Sequence, residues 1–156
     1  MAAFMLAYAV GAALPLGEQE AEDVRTSFLA DIESIDQTGI FLNNIAIALA
    51  MFIPGVGAGL GVFSGISTGV VFNAFALVTP ELAGVPPLSV LVTAFGLLEV
   101  FAYGLAMSRS AMLAIQLAKK SERQHWRQFA AATAIEVAIV FMVLLAGSVI
   151  EGQEIA

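Results

Sequence analysis

Leu88–Met112 reads LSVLVTAFGLLEVFAYGLAMSRSAM. A helix needs ~20 apolar residues to cross a bilayer, and this stretch supplies them. Yet Glu99 stands near its middle. A carboxylate at that depth costs ~2.5–3.5 kcal/mol on insertion scales, so Glu99 is expected to face protein or water and to need a partner. The sequence offers Asn73, Tyr103 and Glu136 as candidates.

The whole composition points the same way. Of 156 residues, 60% are hydrophobic and 12% are charged, against ~45–50% and ~25% in soluble domains. Mean hydropathy is +0.92. The expected fold is all-α: a polytopic membrane helix bundle, one domain over residues 1–156. The net charge of −7 comes largely from one acidic segment. Six basic residues are too few for an electrostatic footprint on phosphates, so nucleic acid is not an expected partner. With no cysteine there is no disulfide and no thiolate metal or redox site. No cofactor is expected.

Taken in order, residues 1–16 are apolar and carry no basic residue before Glu18, which favours an uncleaved helix over a signal peptide. Residues 17–39 hold seven acidic residues against Arg25 alone. Val24, Phe28, Leu29 and Ile32 recur there at near-helical spacing, as in an amphipathic surface helix. Four further spans are expected at about 40–63, 67–79, 88–108 and 129–150, which makes five in all. Pro54 should kink or break the second of them. Gly57, Gly61, Gly65 and Gly69 repeat every fourth residue, overlapping GxxxG pairs that suit close helix packing, with a turn expected at Ser64. Arg109, Lys119, Lys120, Arg123 and Arg127 all fall in the connection 109–127. By the positive-inside rule that connection is cytoplasmic. The acidic segment is then external, the N-terminus cytoplasmic and the C-terminus external, in a multi-pass protein of the cell membrane. His125, the one histidine, and Trp126 read as interfacial residues.

Counting ~1.5 Å per residue from the expected span ends puts Asn73, Glu99 and Glu136 within roughly 10–14 Å of the inner surface. Tyr103 follows Glu99 by four residues, on the same helix face. These four residues are the expected intramembrane polar cluster. Two carboxylates meeting in low dielectric do not both stay ionised, so one should hold its proton. The cluster would act as a clamp between helices, as a proton or cation site, or as a contact with a partner helix. No serine–histidine–acid set is apparent, no metal site is expected, and neither HExxH nor a phosphate-cradling GxxxxGK[ST] occurs.

Phe41–Asn44, the glycine run, Phe72-Asn73 and Gly96-Leu97-Leu98-Glu99 together resemble the stage II sporulation protein M family. The order and spacing match over about Phe41–Ala114. Carried over by position, the family's characteristic residues are Asn43 or Asn44, Gly57, Gly61, Asn73, Gly96 and Glu99. Phe95 stands where the family usually has histidine, and Ala74 replaces the glycine after the asparagine. The resemblance implies a membrane scaffold, similar to the member that recruits cell-wall hydrolases during engulfment in endospore formers.

The sequence therefore sets up a non-enzymatic integral membrane scaffold or complex subunit, with lipids and other membrane proteins, or a second copy, as partners. The alternative is a small oligomeric transporter or channel that moves protons or cations through Glu99 and Glu136. An intramembrane hydrolase is a remote third, for want of a visible nucleophile and base.

Overall fold

A computed structural model describes residues 1–32, 37–82, 84–118 and 126–155, with the backbone alone at 32, 37, 40, 126 and 151–155. The expectations for Lys119, Lys120, Arg123, His125 and the Trp126 side chain fall outside the described residues. Six α-helices follow in chain order: α1 (Ala2–Ala12), α2 (Glu18–Ile32), α3 (Gln37–Ala50), α4 (Gly57–Val78), α5 (Ala94–Ala118) and α6 (Trp126–Ile155). Two short 3₁₀ segments, Pro80–Leu82 and Pro87–Val92, join α4 to α5. The described chain is all-α, as its composition requires.

Among the described residues three helices, rather than five, are long and apolar enough to cross a membrane: Gly57–Val78, Ala94–Ala118 and Arg127–Ile150. The other two apolar helices, Ala2–Ala12 and Phe41–Ala50, are shorter. At 1.5 Å per residue, α1 covers roughly 16 Å, about half the ~30 Å hydrocarbon core.

The expected spans 40–63 and 67–79 are divided in a different place. The chain turns at Met51–Val56, and one continuous α4 runs through the site where the turn at Ser64 was expected. Pro54 lacks the N–H that would carry α3 onward. Gly55 takes φ +79°, a left-handed conformation strained for other residues. Ile53 O accepts the Val56 and Gly57 amides (3.2 and 2.9 Å) and the Ser110 hydroxyl (2.6 Å), which ties the turn to α5. At Ser64 nothing breaks the helix, and Thr68 Oγ1 donates to Ser64 O at 2.8 Å within the unbroken turn.

The glycine row explains how α4 packs. Residues four apart drift by about 40° around a helix of 3.6 residues per turn, so one row meets several neighbours in succession. A β-carbon at Gly57 would overlap the Met51 carbonyl, and one at Gly61 would overlap the Met107 thioether of α5. At Gly65 it would lie 2.9 Å from Phe4 O, and at Gly69 it would overlap Tyr8 O. Gly11 of α1 returns the fit against Ile66 O. The α1–α4 contact is thus nearly backbone on backbone.

These contacts also give direction. Phe4 and Tyr8 meet Gly65 and Gly69 in ascending order, so α1 and α4 are parallel. Met107 meets Gly61 while Tyr8 Oη donates to Pro87 O at 2.6 Å, so α5 runs against both. α3 pairs Asn44 with Glu99 and Ile53 with Ser110, parallel to α5. Direction therefore alternates through α1, α3, α4, α5 and α6. α2 lies on α4 through an edge-to-face contact of Phe28 with Phe75 at 5.7 Å. Tyr8, Met51 and Val140 are fully enclosed in the core, with Phe4, Val100, Tyr103 and Leu144 around them.

Candidate functional site

Thr93 starts α5. Its hydroxyl accepts the Gly96 N–H at 3.1 Å and donates to Val90 O at 2.7 Å, an N-cap closing the preceding 3₁₀ turn. Gly96 fits because a β-carbon there would strike Val90 O. From this fixed start, one turn onward, Glu99 points toward α3. There Asn44 Nδ2 donates to Glu99 Oε1, and both residues are half-buried. Of the two asparagines that open this apolar stretch, Asn44 is the one that reaches the carboxylate, while Asn43 is exposed.

The second carboxylate is held elsewhere. Glu136 of α6 takes a two-pronged bond from Arg109 of α5, with Nε to Oε2 at 2.6 Å and Nη2 to Oε1. The two side chains are only 8% and 18% exposed, so this is a largely buried ion pair. A planar guanidinium matches the carboxylate fork, which makes arginine rather than lysine the suitable partner.

Glu136 accordingly does not share a layer with Glu99. A β-carbon on Gly147 of α6 would lie 3.7 Å from Leu98 Cβ. Advancing eleven residues on α5 to Arg109 matches retreating eleven on α6 to Glu136. Glu136 therefore lies roughly 16 Å along the bundle from the level of Glu99. The expectation failed because α5 continues to Ala118, well past the residue 108 taken as its inner end, and depths counted from that end were wrong. Asn73 Nδ2 donates to Leu14 O at 2.8 Å, capping a carbonyl just beyond α1. Tyr103 is buried with its ring tilted against Phe4 of α1 at 5.4 Å.

Arg109 is the functional residue the sequence reading misplaced, grouping it with the basic connection. The signal was there: residues 110–118 continue the apolar pattern, and the next base is Lys119. Among the described residues, no three histidine, aspartate or glutamate side chains come together as metal ligands would.

An all-helical bundle with three long apolar helices, and with its charges paired across helix contacts, is the architecture of a membrane protein. The chain belongs to the family described as SpoIIM, stage II sporulation protein M, whose family model matches residues 1–153. Of the positions the resemblance carried over, Asn44 and Glu99 form a bonded pair, and Gly57, Gly61 and Gly96 sit at close approaches. Comparisons with curated proteins and with solved structures give no match.

Proposed function

We propose that this protein is a non-enzymatic, multi-pass scaffold or complex subunit of the cell membrane, working with other membrane proteins. One observation carries the reading: among the described residues, the two carboxylates within the long apolar helices, Glu99 and Glu136, are each bonded to a donor on a neighbouring helix. Tied in this way, Glu99 and Glu136 act as clamps that fix α3 on α5 and α5 on α6. Roughly 16 Å apart along the bundle, the two carboxylates do not form one shared site. The alternating helix directions support a cytoplasmic N-terminus and an external C-terminus, given the basic connection between α5 and α6.

The test is the mass and composition of the complex extracted from its native membrane into lipid nanodiscs. A defined assembly containing different polypeptides is the expected result. A lone homo-oligomer that moves protons, and stops doing so on Glu99→Gln, would replace the scaffold with a small transporter.

A further inference from the structure

An apolar slot of about 450 Å³ opens between α2, α3 and α4. That volume falls within the ~300–1,000 Å³ typical of small-molecule sites. Phe28, Ala50, Leu60, Phe63 and Phe72 are among its walls. From Leu60 to Phe72 it follows α4 for twelve residues, roughly 18 Å of helix. That length suits an extended chain. Its hydroxyls are those of Ser64, Ser67 and Thr68, and Thr68 already donates to Ser64 O.

At the α2 side the slot meets a second recess of about 370 Å³. Phe28 and Val71 line both spaces, so the two adjoin. The second recess adds Asp23 and Asp31, both exposed. Asp23 Oδ1 accepts Gln19 Nε2 at 3.1 Å. Among the described residues no basic side chain lines either space, and Arg25, the one base of α2, is bonded to Glu22 at 3.0 Å. A long apolar slot thus lies beside a carboxylate-bearing mouth. In a chain of net charge −7 such a mouth repels an anionic headgroup and attracts a cationic one.

We propose that the slot and its mouth bind a single-chain amphiphilic cation, with the aliphatic tail along α4 and an ammonium head between Asp23 and Asp31. The apolar walls take the tail, while the head beside two exposed aspartates keeps part of its hydration and gains two carboxylates. A phospholipid places a phosphate at the same level and is disfavoured.

The experiment uses the full chain in nanodiscs of neutral lipid. Two photoreactive probes share one long alkyl tail carrying a diazirine. One bears a trimethylammonium head and the other a sulfate head. Crosslinked residues are mapped by mass spectrometry. The expected result is labelling of α3 and α4 slot residues by the ammonium probe, competed by its unreactive analogue. The preference over the sulfate should be about five-fold or more, the size of one exposed ion pair. Asp23→Asn/Asp31→Asn, at two exposed positions, should bring the probes to parity while the slot still labels. Ala50→Phe, which fills the deep end, should reduce labelling by both. Equal labelling by the two probes in the unmodified chain would make the slot an unselective tail groove and overturn the proposal. A cation preference that survives the double aspartate change would do the same.

Discussion

At the scale of single residues, the two clamps differ in what their loss exposes. Arg109 and Glu136 are a largely buried pair, and removing one partner leaves the other's charge without compensation. Arg109→Met should therefore cost about 3 kcal/mol, whereas Arg109→Met with Glu136→Leu should recover most of that loss, because two apolar side chains replace two desolvated charges. Reversible unfolding of both variants in mixed micelles would check this. A double variant no better than the single one would mean the pair is not coupled. The Glu99 clamp is more forgiving. Glu99→Gln keeps an acceptor for Asn44 and should stay within ~1 kcal/mol of the parent, while Asn44→Leu strips a donor from a carboxylate and should cost ~1.5–3 kcal/mol. The same unfolding measurement separates the two. That Glu99 needed a partner was legible from its place in an apolar run. Which partner was not, since a side chain's neighbour depends on helix register, and register depends on ends that apolar sequence does not mark.

Helix α4 is where the sequence was both most and least informative. The four-residue glycine period announced close packing, and the structure uses it against three different neighbours. The turn was misplaced because six glycines in a run obscured which one the backbone needs. Pro54 and Gly55 break the chain, and Ser64 does not. Two substitutions distinguish packing from turn. Gly69→Ala forces α1 away from α4, because the new carbon meets the Tyr8 carbonyl rather than a side chain that could yield. A loss of ~1–3 kcal/mol is expected, as for overpacked cores. Gly59→Ala meets nothing within 4 Å and should be neutral or gain ~0.5 kcal/mol of helix propensity. If thermal unfolding ranks the two the other way, the α1–α4 contact is not the close one described. The α5–α6 register has an equally direct check. Leu98→Cys with Gly147→Cys places β-carbons 3.7 Å apart, inside the range a disulfide needs, and should crosslink readily. Glu99→Cys with Glu136→Cys should not, being separated by roughly 16 Å of helix.

For the whole molecule, the alternation of chain direction was readable because it depends on the number of reversals and not on where each falls. Moving one turn from Ser64 to Pro54 changes the lengths of two helices and leaves the order of directions intact. Helix length decides something else, namely whether a short element counts as a crossing. Between Glu22 of α2 and Gln128 of α6 lie α3, α4 and α5. α4 and α5 are each long enough to cross, whereas α3 has 14 residues, or roughly 21 Å. If α3 and the Met51–Val56 turn together complete a crossing, three crossings separate the two positions and they face opposite sides. If α3 stops short, two crossings separate them and they face the same side. The chain has no native cysteine, so Glu22→Cys and Gln128→Cys each give a single reporter for an impermeant maleimide. Lys119, Lys120, Arg123 and Arg127, which follow α5 in the sequence, favour the cytoplasm for Gln128. Glu22→Cys should then label in intact cells and Gln128→Cys only after lysis. Labelling of both only after lysis would make α3 a helix that enters the bundle and returns, with the acidic α2 on the cytoplasmic side.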